Sequence, residues 1–107
     1  MSEIVSNQNS NSPARLPSAT TMNQAARLSI TEDKPIMLDY WLSSCKKESC
    51  IGVRTIDANN KEKMLVKSEE EYTSPISKLF KNEMEYIVMT ENSIYIVDSA
   101  IPPRRIS

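Results

Sequence analysis

The sharpest alternation of apolar and polar positions along the chain lies in EYIVMTENSIYIVD, Glu85 to Asp98. Tyr86, Val88 and Thr90 alternate with Ile87 and Met89. Beyond the turn at Glu91-Asn92, Ile94 and Ile96 alternate with Tyr95 and Val97. A period of two sends successive side chains to opposite faces of a strand, so a hairpin with apolar groups on both faces is predicted. Such strands lie in the middle of a sandwich or barrel, or give one face to another subunit.

Similar patterns precede it. PISKLFKN puts Ile76, Lys78 and Phe80 on one strand face and turns at Asn82-Glu83 into the hairpin. CIGVRTID alternates Ile51, Val53 and Thr55 with Gly52, Arg54 and Ile56. Ala58 to Lys61 supplies turn chemistry, and KEKMLVK returns as its partner. IMLDYWL, dense in residues suited to a pleated surface, is read as a strand from Ile36 to Leu42, with a shorter one at Arg27 to Ile30. SEEEYTSP is read as a loop with one turn capped by Ser68. The alternative, a helix from Lys61 to Tyr72, would have no apolar group between Val66 and Tyr72 to bury.

Short strands at this spacing predict an all-β fold, a small antiparallel barrel or sandwich of roughly five to seven short strands. Residues 1–24, rich in Ser and Asn with few large apolar groups, are expected to form a disordered arm. Residues 25–100 form the β domain. Residues 101–107, with Pro102, Pro103, Arg104 and Arg105, form a polyproline-like tail.

Composition narrows the function. The 107 residues, 39% of them hydrophobic, suffice for one small core. The lack of histidine removes the commonest general base and the usual zinc and iron ligand sets. One glycine, Gly52, is too few for a phosphate-cradling loop. A net charge of −1 provides no global field toward nucleic acid or an anionic membrane. No apolar run approaches the ~20 residues of a membrane span, and MSEIVSNQNSNSPARLP lacks signal-peptide character. Cys45 and Cys50 are read as free thiols in a reducing compartment, with pairing reserved to a mature particle. No cofactor, metal site or catalytic set is expected.

Two constellations invite a chemical reading. Asp57, Glu62 and Lys63, with Asp39 and Asp98, loosely resemble the carboxylates of a metal-dependent nuclease, but hairpin-end charges explain the spacing. Tyr40, Trp41, Phe80, Tyr86 and Tyr95, with nearby lysines and arginines, could make a platform for single-stranded nucleic acid, although such aromatics are more often core.

KPIMLDYWLSSC, VKSEEEYTSPISKLFK and EYIVMTENSIYIVD, in that order, resemble a small β-rich protein family of the large nucleocytoplasmic DNA viruses, the chlorella-virus and mimivirus-like group. The resemblance implies a non-enzymatic virion protein, a minor capsid component bridging larger capsid proteins, located in the virion or otherwise in the host cytoplasm. Tyr40, Trp41, Tyr86, Ile94, Tyr95, Arg104 and Arg105 are the residues expected to contact those partners. The alternative is a small β-barrel module that binds single-stranded nucleic acid or peptide.

Overall fold

The computed structural model describes residues 15–106. In chain order they form α1 (Ala19–Glu32), β1 (Ile36–Met37), α2 (Trp41–Cys45), β2 (Cys50–Asp57), β3 (Asn60–Val66), β4 (Ile76–Asn82), β5 (Glu85–Thr90), β6 (Ile94–Asp98) and β7 (Pro103–Arg105). The strands make two mixed sheets, a four-stranded one ordered β1-β6-β5-β4 and a three-stranded one ordered β3-β2-β7. The fold is mostly β, but it is neither a closed barrel nor strictly all-β.

The hairpin of β5 and β6 is the centre of the molecule. Its register pairs Ile87 with Ile96 and Val88 with Tyr95. That register sends Ile87, Met89, Ile94 and Ile96 to one face, where they pack with Met22, Ala25 and Leu28 of α1 and Trp41 and Cys45 of α2. Val88 and Val97 go to the other face and pack with Ile51 and Leu65 of the second sheet, with Tyr40 and Ile101 completing the cluster. Three layers result: helices, four-stranded sheet, three-stranded sheet. Each fully buried aliphatic side chain stabilises the fold by ~1.5–3 kcal/mol, so two apolar faces on one hairpin anchor both interfaces. Both faces of this hairpin are therefore covered by the chain itself.

Three expectations are corrected. The strand expected at Arg27 to Ile30 lies inside α1, whose start falls within the stretch expected to be disordered. Ser18 caps this helix, accepting from Thr21 N–H at 3.2 Å, and Asp33 ends it in the left-handed conformation at φ 56°. Met22, Ala25 and Leu28, three residues apart, supply the apolar stripe that decides for helix. Residues 1–14 of the expected arm lie outside the described residues. The strand expected from Ile36 to Leu42 is limited to Ile36 and Met37, parallel to β6. Beyond it the chain turns, with Trp41 N–H on Leu38 O. The Ser43 and Ser44 hydroxyls then donate to Tyr40 O and Trp41 O and hold the single turn of α2. The expected polyproline tail instead enters the second sheet as β7, parallel to β2. The loop at Ser68 is as expected, its hydroxyl accepting from the N–H groups of Glu70 and Glu71.

Candidate functional site

The outer face of the second sheet holds a groove of about 660 Å³. Its floor follows from the pairing of the strands. Cys50 stands opposite Val66 and Gly52 opposite Met64 on β3, while Gly52 stands opposite Arg104 on β7. Met64 and Cys50 are buried although no third layer covers this face. Gly52 lies under the floor, with the Val66 and Ile106 side chains closing over its backbone where a Cβ would collide with them.

One wall is the segment after β3. Thr73 N–H donates to Leu65 O at 2.9 Å, and Leu65 N–H donates to the Thr73 hydroxyl at 3.1 Å. This clamp bridges Tyr72 to Val66 and leaves the Tyr72 ring 59% exposed beside the floor. Lys47, in the left-handed region at φ 61°, turns the chain from α2 into β2 and brings Lys47 and Glu48 to one end. Arg104 and Ile106 line the opposite side. The rim is mixed in charge. Arg54 pairs with Glu62, and Lys67 pairs with Glu71 at 3.3 Å while resting 4.6 Å from the centre of the Tyr40 ring. Arg104 has no ion-pair partner among the described residues. Such a surface suits a partner that brings apolar side chains to the floor and polar groups to the rim.

A second polar constellation lies at the other end of β5 and β6. Glu85, 1% exposed, pairs with Arg15 and accepts from the Ser18 hydroxyl at 3.0 Å and from the Thr21 hydroxyl. Arg15 also reaches Asp98 at 3.1 Å and Met84 O at 3.0 Å, and lies over the Trp41 ring. The Trp41 indole N–H donates to Arg15 O at 2.7 Å. Burial opposes the charge on Glu85, but hydrogen bonds from Thr21, Arg15 and Ser18 outweigh it and hold the carboxyl below its usual range. The cluster fastens the start of α1 to the four-stranded sheet, and its donors and acceptors are spent on one another. Burial pushes the neighbouring Cys45 thiol up, away from the thiolate form that reacts.

The residues expected to meet partners are dispersed. Tyr40 is buried between the sheets with half-buried Tyr86 and Tyr95, its ring edge-on to Tyr95 at 5.5 Å. Trp41, at the start of α2, and Ile94, on β6, are buried in the cluster between the helices and the four-stranded sheet. These five residues form no common surface, because the helices and the second sheet already occupy both faces of the β5–β6 hairpin. Phe80 is partly buried against the helix-side core, so the aromatics considered for nucleic acid are divided between two core clusters on opposite faces of the four-stranded sheet. Arg104 and Arg105 are exposed on β7, and of the two only Arg104 lines the groove. Asp57 is taken up by its hairpin turn. It accepts from Asn59 N–H at 2.9 Å and from the Asn60 amide, and the Asn60 side chain does most to lower its pKa. No group of three or more potential metal ligands occurs among the described residues.

Sequence reasoning missed Met64, Val66, Tyr72 and Ile106 as groove residues. The available signal was Gly52, a lone glycine in mid-strand, which marks close approach of another group to the backbone. Comparison with known protein families, curated proteins and solved structures finds no match to this chain. No helix among the described residues is long and apolar enough to cross a membrane.

Proposed function

We propose that this chain is a non-enzymatic interaction protein, a small virion component that holds an extended segment of a larger capsid protein in the groove on its second sheet. The observation that carries the reading is the groove floor, where Met64, Val66 and Ile106 surround Gly52 on a face without a covering layer, next to the exposed Tyr72. An extended peptide is the natural complement of such a surface, since alternate side chains can enter the floor while its backbone stays hydrated or paired. The engagement of Asp57, Glu85 and Asp98 in turn and latch contacts supports a role in binding and not in catalysis. The resemblance to proteins of large DNA viruses supplies the setting.

The test places a photo-reactive phenylalanine analogue at position 72 in the full chain and, as a control, at position 30 on the exposed side of α1. After salt and nuclease washing of purified particles, position 72 is expected to give a discrete adduct with a capsid protein and position 30 none. Loss of the chain from washed particles, equal adducts from both positions, or an adduct with nucleic acid overturns the reading.

A further inference from the structure

Gly52 is where the chain's last described segment closes onto the second sheet. A Cβ at this position would lie 2.8 Å from Val66 Cγ2, 2.9 Å from Ile106 Cδ1 and 3.2 Å from Ile106 Cγ2. Two branched side chains therefore close directly over the backbone of β2, and one of them belongs to the segment that follows β6. That segment adds to the edge of β2 as a parallel strand. Ile51 N–H donates to Pro102 O at 2.8 Å and Ile106 N–H donates to Val53 O at 3.0 Å, with Arg104 opposite Gly52 between them.

The attachment is narrow. Pro103, Arg104 and Arg105 are all exposed, and β7 pairs with β2 alone. Of residues 103–106, only Ile106 brings an aliphatic side chain to the sheet, and it is 39% exposed while seated over Gly52. Ladder bonds to one strand plus one branched aliphatic anchor are the elements by which an extended peptide binds a sheet edge, with main-chain bonds for affinity and a side-chain pocket for selectivity.

We propose that the edge of β2, with its depression at Gly52, is a strand-acceptor site; that Pro102–Ile106 is its resident occupant; and that the partner segment binds by replacing it. The partner is an extended peptide that runs parallel to β2 and carries a β-branched aliphatic residue, isoleucine or valine, for the depression. The basis is that the occupant already seated there has this chemistry. The inference rests on the groove reading above and adds the partner's direction, its anchor residue and a built-in competitor.

The test uses the full chain and a fluorescent peptide of residues 102–107, PPRRIS, with a control peptide in which the isoleucine is glycine. Anisotropy titrations compare the wild type with Ile106→Asp, which unseats the resident anchor, and with Ile106→Asp combined with Gly52→Val, which fills the depression. The isoleucine peptide is expected to bind Ile106→Asp at least tenfold more tightly than the wild type. The control peptide is expected to bind at least tenfold more weakly than the isoleucine peptide, and the double variant is expected to lose binding. Ile51 N–H, protected through Pro102 O, should exchange faster in Ile106→Asp and be protected again by the peptide. If Ile106→Asp does not fold, Ile106→Gly replaces it with the same expectations.

Equal affinity of wild type and variant, indifference to the isoleucine, retained binding in the double variant, or no binding to a folded Ile106 variant overturns the proposal. A wild-type dimer whose dissociation follows loss of Ile106 also overturns it, by assigning the site to a second copy. An adduct through position 72 that persists alongside a failed peptide test overturns the resident-strand proposal while leaving the groove reading in place. Loss of that adduct removes the groove reading by itself.

Discussion

Glu85 illustrates how one carboxylate becomes structural. It starts β5 with its side chain 1% exposed, a position that would favour the neutral acid were it alone. Donors from Arg15, Ser18 and Thr21 reverse that preference. A carboxyl whose folded pKa lies below its unfolded value contributes stability that is fully present above the unfolded value, about 4.3. The contribution is lost as pH falls through the folded value. Stability against urea should therefore decline below about pH 4.3, and more steeply in the wild type than in Glu85→Gln. At neutral pH the same substitution should cost about 2 kcal/mol, because half-buried Arg15 loses its closest charge partner. Emission from Trp41, the only tryptophan, should report the change, since Arg15 lies over its ring at 5.0 Å from the centroid. A Glu85→Gln protein with the wild-type acid limb would remove Glu85 from the account. None of this was legible in the sequence, where Arg15 and Glu85 are separated by 70 positions and Arg15 sits in a stretch too polar to suggest a packed segment.

Elements were legible in proportion to how far their own side chains decided them. The strands β5 and β6 were plain because alternation runs through both, and β2 and β3 because a turn rich in asparagine separates two apolar stretches. The helix α1 was obscured for a physical reason: Thr20, Thr21, Ile30 and Thr31 are β-branched, and its apolar stripe is only buried Ala25 with partly buried Met22 and Leu28. Much of its stability must come from its ends and from docking. Ser18 serves both, accepting from Thr21 N–H and donating to Glu85. Ser18→Ala is expected to destabilise the domain by about 1–2 kcal/mol. In hydrogen exchange it should speed the amides of α1 much more than those of β5 and β6. Uniform acceleration across both would show that α1 and the sheet open as one unit, contrary to this view. The short helix α2 was hidden in the same way, because IMLDYWL has strand-like composition, while the turn rests on the Trp41 N–H bond to Leu38 O and on the Ser43 and Ser44 back-bonds.

At the scale of the molecule, the apolar hairpin that suggested a missing partner is covered on both faces within the chain, and the face without a further layer belongs to the second sheet. Layering explains the shift: the four-stranded sheet is the middle layer, while the second sheet has only one covered face. Interior and partner-facing residues should then separate cleanly by substitution. Val88, fully buried between the sheets, would carry an unpaired charge into the core as Val88→Asp. A loss of about 4–5 kcal/mol or more is expected, a large part of the roughly 5–15 kcal/mol available to a domain. The variant should show lost cooperativity in thermal melting followed by circular dichroism. Tyr72 is 59% exposed on the groove wall, and its place is fixed by the neighbouring Thr73 clamp and not by its ring. Tyr72→Ser should therefore stay within about 0.5 kcal/mol of the wild type in the same melt. On the proposed capsid-binding role, its retention on salt-washed particles should nevertheless fall at least fivefold. The reverse pattern, a stable Val88→Asp protein that loses particle association and a Tyr72→Ser protein that keeps it, would return the partner surface to the β5–β6 hairpin. The two variants together thus distinguish a surface built for a partner from a core that the chain closes by itself.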